Sequence, residues 1–195
     1  MPTQEFINRI RRALSLEQAA FEEIRDDAAF TPFAAGLAAV AVLLAALGAW
    51  LFGETVLDFK PDGWFVETFI LGSIFTILLF LAGVAVTYVV LAQVYRETIA
   101  PDAFARIASL GYLPFALGLL VFIPEIGFGF GILSIAAMFF YTVFGLRAAY
   151  PAIDSLRIVV AVLLGFAVWA TILPLIGEFP DSNFATGIFV FGLSA

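Results

Sequence analysis

The groups in this chain able to do ionic or acid–base chemistry are sixteen carboxylates and nine cations, with no His and no Cys among them. That excludes the usual general base at neutral pH, thiolate nucleophiles, Cys-held haem or iron–sulfur groups, and the commonest zinc sites. A Ser–His hydrolase is impossible for the same reason. Asp154 and Arg157 could hold a headgroup or a phosphate, but an Asp ahead of a helix more often caps it. Gly127-x-Gly129-x-Gly131 has the look of a nucleotide loop, yet no strand precedes it and no acidic or Lys partner follows. No basic patch is interleaved with aromatics, so nucleic acid is not an expected partner. What remains is Arg9, Arg11 and Arg12, spaced among apolar residues as in segments that meet anionic lipid headgroups. No enzyme activity, cofactor or metal is expected.

The elements that must carry these residues follow from composition. Apolar residues make up 63% of the 195 and charged residues only 13%, with a mean hydropathy of +1.08. A soluble domain is closer to half apolar and a quarter charged. The excess lies in blocks of about twenty residues, the length a helix needs to cross hydrocarbon. Residues 33–52, 68–94, 107–123, 127–146 and 158–177 each lie in a gap without charge. The expected fold is an all-α integral membrane protein of five transmembrane helices with an N-terminal amphipathic interfacial helix. Residues 1–32 form a cytoplasmic segment, 33–180 the membrane domain and 181–195 an apolar extracytoplasmic tail.

Orientation follows from where Arg and Lys fall. Arg9, Arg11, Arg12 and Arg25 precede the first span. Arg96 and Arg106 lie in the loop between spans two and three, and Arg147 and Arg157 between four and five. The alternate loops hold Lys60 alone, with Glu54, Asp58, Asp62, Glu67 and Glu125, and the tail adds Glu178 and Asp181. The N-terminus is therefore expected in the cytoplasm and the C-terminus outside, in a multi-pass protein of the cell membrane. A net charge of −7, with Lys nearly eliminated, would suit a high-salt cytoplasm that screens self-repulsion. A halophilic archaeal source is the expectation.

Residues 1–32 lack the h-region and cleavage site of a secretory signal. Within them, Phe6, Ile10 and Leu14 recur at helical spacing, and Phe21 and Ile24 continue an apolar stripe. Ser15-Leu16-Glu17-Gln18 reads as a capping box between a basic helix and an acidic one. Such helices lie in the membrane interface or pack on the cytoplasmic ends of the bundle. Residues 184–195 would reach only about 18 Å as a helix, too short to cross. They are expected to dip into the outer leaflet or cap the bundle.

Within lipid, small residues matter because they allow close packing. Ala34, Ala38, Ala41, Ala45 and Ala49 share one face of span one. Pro124-Glu125-Ile126 is short enough to force spans three and four into a tight antiparallel hairpin. Ser73, Thr76, Thr87, Tyr88, Ser134, Tyr141, Thr142 and Thr171 are the polar residues inside the spans, and Ser and Thr there normally bond to their own helix. All ionised groups are expected at span ends or in loops, whereas transporters usually place some within the bilayer. A polar cavity lined by Thr76, Thr87, Tyr112 and Tyr141 would favour a small-solute transporter or channel.

The layout resembles the YIP family, the Yip-domain membrane proteins of Ypt/Rab-interacting type. The stretch Ile10-Arg-Arg-Ala-Leu-Ser-Leu-Glu-Gln-Ala-Ala-Phe-Glu-Glu-Ile24 is similar to the opening of prokaryotic members. Gly111-Tyr112-Leu113-Pro114 is similar to the family's Gly-Tyr…Pro element, with fewer residues between Tyr and Pro than in eukaryotic members. Phe144-Gly-Leu-Arg-Ala-Ala-Tyr150 and Ser155-Leu-Arg157 match the pattern closing span four and opening span five. The resemblance implies a non-enzymatic five-span scaffold or adaptor that organises lipid or as yet unknown membrane protein partners. The long cytoplasmic extension with an Asp-Leu-Tyr-Gly-Pro-type motif is absent here, so a Rab-type GTPase partner is not carried over.

Overall fold

The computed structural model describes residues 3–56 and 63–177. Lys60, Asp58, Asp62 and the tail after residue 177 lie outside the described residues, and so do the readings that rest on them. Every element among the described residues is helical. Helices α1 (Thr3–Leu14) and α2 (Gln18–Asp26) precede a short 3-10 turn and α3 (Thr31–Val56). Then come α4 (Gly72–Val89), α5 (Pro101–Leu110), α6 (Gly127–Ala149) and α7 (Ser155–Gly177).

Four stretches are long and apolar enough to cross a membrane: Ala28–Val56, Phe65–Val94, Pro101–Phe122 and Gly127–Ala149. In α7 the stretch Ser155–Trp169 is apolar as well. The outward surfaces agree with lipid as the solvent. Val40, Leu43, Ile74, Leu78, Leu81, Leu133, Phe140 and Leu163 are all exposed large apolar residues. A soluble monomer rarely presents so much contiguous apolar surface.

Local sequence explains the helix boundaries. The Asp27 carboxylate accepts from the Ala29 backbone N–H at 3.0 Å, and Pro32 sits in the first turn of α3, where its missing N–H costs nothing. Pro101 opens α5 in the same way. Asp154 accepts from the N–H groups of Leu156 (2.9 Å) and Arg157 (3.2 Å) at the start of α7. That settles Asp154 as a helix cap.

The segment between α1 and α2 breaks where expected but not by the expected device. Ser15 Oγ donates back to the Arg11 carbonyl at 3.0 Å, and α2 starts behind Glu17 without a side-chain cap. Leu16 at φ 58 reverses the chain instead, so no capping box forms.

Small residues set the interhelical approaches. The expected alanine face of α3, from Ala34 to Ala49, is buried throughout. Further along α3, a Cβ on Gly48 would run into the Gly118 carbonyl, so the two backbones touch there. Gly83 of α4 and Gly165 of α7 face each other in the same manner, the Gly165 carbonyl lying 3.1 Å from a Cβ placed on Gly83. The hairpin after span three is as tight as its length requires. Gly127 N–H donates to Ile123 O at 2.8 Å, and Glu125 takes φ 71 to close the turn.

Span three departs most from a plain helix. It begins at Pro101, six residues before the expected start at Ile107, and changes at Gly111–Tyr112 from α5 into a 3-10 helix over Leu113–Phe122. Such long 3-10 runs are uncommon. Ser73, Thr87, Ser134, Thr142 and Thr171 all donate to carbonyls three or four residues back in their own helices, as expected.

Candidate functional site

Arg9, Arg25 and Arg106 with their carboxylate partners gather at one end of the bundle. Arg106 is the centre. Its side chain is only 3% exposed. Nη1 donates to Thr31 Oγ1 at 2.8 Å and to Asp102 Oδ2 at 3.1 Å, and Nη2 donates to the Arg25 carbonyl at 2.6 Å. Arg106 was expected in a loop. The structure corrects this: it lies inside the stretch Pro101–Phe122, so that span does carry an ionised group. Asp102 balances the buried charge, and Thr31 Oγ1 and the Arg25 carbonyl accept hydrogen bonds from it, while Nε is left without a partner among the described residues.

Arg25 extends the cluster. It pairs with Asp26 at 2.7 Å, donates through Nη1 to the Ala149 carbonyl, and lies 5.9 Å from the centre of the Tyr150 ring. Burial pushes the Tyr150 phenol up to about 12, while the charges of Arg25 and Arg106 pull it the other way. Nearby, Arg157 donates to Glu97 at 2.7 Å and lies 5.5 Å from the centre of the Tyr95 ring. The N-terminal segment, the loop before α5 and the loop before α7 therefore meet at the same end. Trp50 and Trp64 mark the other, where Trp64 Nε1 donates to the Trp50 carbonyl at 3.2 Å.

The three arginines expected to meet lipid are divided. Arg9 is bound to Glu5 at 2.8 Å and to Asp27 at 2.5 Å. Arg12 is bound to Glu17 at 2.6 Å and to Glu23 at 2.9 Å. The Arg9 hydrogen bond holds the Asp27 carboxyl below its ordinary range, against the opposing effect of burial. Arg12 does the same for Glu17. Only Arg11 stays exposed with no side-chain partner among the described residues.

Apolar packing fixes these helices on the bundle. Phe21 is fully buried and sits over Gly145, where an added Cβ would come within 3.0 Å of the ring. It also meets Tyr141 and Phe144, with ring centres 5.7 Å apart in each case. Residues 3–30 thus pack through their apolar stripe on one end of the bundle. The stripe Phe6–Ile10 and Phe21–Ile24 signalled it, whereas nothing in the sequence marked Gly145 as the seat for Phe21.

Gly111, Tyr112 and Pro114 mark the break in span three. A Cβ on Gly111 would collide with the Thr142 hydroxyl, so glycine lets span three press against α6. Tyr112 is 5% exposed, its ring centre 4.0 Å from that of Phe80 and 5.6 Å from that of Phe115. It borders a small cleft between α4, α5, α6 and α7, where Thr87 and Thr142 supply the other hydroxyls and Phe80, Phe166 and Trp169 supply apolar walls. The cleft has about 30 Å³ of room, enough for about two water molecules. Of the four residues whose polar cavity would favour transport, Thr87 and Tyr112 line it; Thr76 and Tyr141 do not.

Fold and site together define a protein that is helical throughout its described elements, with several helices long and apolar enough to cross a membrane, consistent with a multi-pass membrane protein, and with an ionic cluster gathered at one end of its bundle. Beyond that class, no family model, curated protein or solved structure matches the chain.

Proposed function

We propose that the chain is a non-enzymatic membrane scaffold or adaptor of Yip-domain type, organising lipid or partner membrane proteins. Its topology in this reading is five spans with α7 as the fifth, the N-terminus in the cytoplasm and the C-terminus outside, in the cell membrane. The observation that carries it is the filled interior. Side chains such as Phe115, Met138 and Val42 are buried with almost no exposure, and the cleft at Tyr112 is narrow and mostly apolar. A solute path needs polar groups along its length. The gathering of Arg25, Arg106 and Arg157 at one end supports the orientation, because basic residues favour the cytoplasmic side. The acidic, Lys-poor composition supports a halophilic archaeal source.

The test is crosslinking in native membranes with identification of the captured proteins, alongside solute uptake by liposomes holding the purified chain. Recovery of a defined membrane protein with no uptake supports the scaffold. Saturable uptake overturns it. The second reading, a small-solute transporter or channel, is favoured by one feature: the broken helix of span three sits beside the cleft, and broken helices build many transporter sites. In that reading Tyr112→Phe lowers uptake, whereas a scaffold tolerates it.

A further inference from the structure

Helix α1 has more apolar surface than the bundle covers. At about 100° per residue, its side chains divide into three sectors. Phe6, Ile10 and Ala13 turn inward; Ala13 is fully buried, and Phe6 and Ile10 pack against the core. Glu5, Arg9 and Arg12 occupy the sector on one flank of that inward side and are committed to ion pairs. The third sector holds Ile7, Arg11 and Leu14. Ile7 is 50% and Leu14 55% exposed, and Leu16 beyond the helix end is exposed as well. No carboxylate shares this sector, and Arg11 has no partner in it among the described residues.

The position of this sector tells what covers it. The Phe6 ring lies 4.8 Å from that of Phe33. Phe33 is exposed near the start of α3, as are Val40 and Leu43 further along the same helix. Phe6, on the inward side that the free sector flanks, thus brings α1 against the exposed apolar side of α3, a helix long and apolar enough to cross a membrane. A soluble protein partner would have to sit half in lipid to reach it. We infer that α1 lies in the membrane surface, with Ile7, Leu14 and Leu16 sunk to the acyl boundary and Arg11 on a phosphate oxygen of an anionic phospholipid. Helices with an apolar side and a cationic edge bind bilayers in this way. The inference deepens the proposed lipid-organising role and rests on α3 spanning the bilayer. It assigns the headgroup contact to Arg11, with Arg9 and Arg12 holding the helix in its attitude.

The chain has no Cys, so single cysteines can carry spin labels in the full-length protein. The protein is reconstituted into bilayers of phosphatidylcholine alone or with one-third phosphatidylglycerol. Accessibility to oxygen and to a water-soluble nickel chelate is then read at Leu14→Cys, Asn8→Cys and Val40→Cys. The label at 14 should favour oxygen and the label at 8 the chelate. In the anionic bilayer Arg11→Gln should weaken insertion at 14 about fivefold, Arg11→Lys should retain it, and neither should matter in the neutral one. Equal chelate access at 14 and 8 in both bilayers overturns the inference, as does an Arg11→Gln variant identical to the parent in the anionic one. The label at 40 separates the two levels: if it too meets the chelate, the spanning reading of α3 has failed rather than the seating of α1.

Discussion

Arg106 and Arg25 are joined by a hydrogen bond from the guanidinium of the first to the backbone carbonyl of the second, 2.6 Å long and bridging 81 positions of sequence. Two cations come together because the bond uses the peptide dipole of one and the side chain of the other, while Asp102 and Asp26 balance the charges. The last carbonyls of a helix are short of donors, and α2 ends at Asp26. Arg106 supplies that donor from a different helix. It also holds Thr31 at the entrance of α3, so one buried side chain locks the N-terminal helices to two crossing stretches.

Arg106→Gln should therefore release α2 from the bundle end. Removing one partner of a buried ionic cluster costs about 3 kcal/mol or more. Hydrogen exchange across residues 18–30 should rise by about two orders of magnitude if that energy is spent on local opening. Arg12→Gln is the control. Its pairs with Glu17 and Glu23 are solvent-exposed, and such pairs contribute little, so exchange over 18–30 should stay close to that of the parent.

Acid should loosen the same segment. Asp27 is held below its ordinary value of 3.8 by the hydrogen bond from Arg9, whereas the solvent-exposed Arg12–Glu17 pair adds little. A carboxylate lowered in the folded state contributes stability above its unfolded value and loses it as pH falls through the lowered folded value. The attachment of α1 to α2 should thus be flat with pH above about 5 and weaken steadily below the ordinary carboxylate range. Fluorescence of a dye at Leu16→Cys, followed from pH 7 to pH 2, measures it. Arg9→Gln should flatten the Asp27 part of the curve, and an unchanged curve would detach Asp27 from the effect.

Much of this architecture is legible in the sequence because hydrocarbon imposes a simple code: an uncharged run of sufficient length is a crossing. Residues 33–52, 68–94 and 127–146 fall inside the apolar stretches found, and the alanine face of α3 is buried as its spacing requires. The code fails where burial depends on a partner distant in sequence. Arg106 reads as a loop residue because a charge ends an apolar run, yet Thr31, Asp102 and the Arg25 carbonyl make its burial affordable. Arg9 and Arg12 read as free cations because Asp27, Glu17 and Glu23 become their neighbours only once Leu16 turns the chain, although Glu5 lies one turn before Arg9 in the same helix. The change of helix type at Gly111–Pro114 is partly legible, because Pro lacks the N–H that an α-helix would use.

Gly48 should tolerate no side chain. A Cβ there meets the carbonyls of Gly118 and Leu119, backbone atoms that cannot rotate aside. Gly48→Ala should cost about 2 kcal/mol, in the range of overpacked cores, and Gly48→Leu should prevent assembly of α3 with the 3-10 helix. Gly36 has nothing within 4 Å of the same added atom. Gly36→Ala should be neutral or stabilise by up to about 1 kcal/mol through helix propensity. Thermal unfolding of the variants in detergent, read by helical ellipticity, distinguishes the pair; equal losses at both positions would refute the close crossing.

Glu125 offers the opposite case, a position where removing a side chain should help. It takes φ 71 in the turn joining span three to α6, a left-handed conformation in which the Cβ of an L-residue crowds its own backbone. The turn leaves it no alternative, because Ile126 N–H donates to Pro124 O at 2.9 Å and Gly127 N–H to Ile123 O at 2.8 Å. Both bonds require the reversal that Glu125 makes. Glycine enters the left-handed region without that crowding but has more freedom to lose on folding. The balance at a residue already committed to positive φ favours glycine by about 1 kcal/mol. Glu125→Gly should raise the unfolding midpoint by a few degrees, while Glu125→Val, with a β-branched side chain in the same conformation, should lower it. A Glu125→Val variant as stable as the parent would mean that the hairpin closes by some other turn.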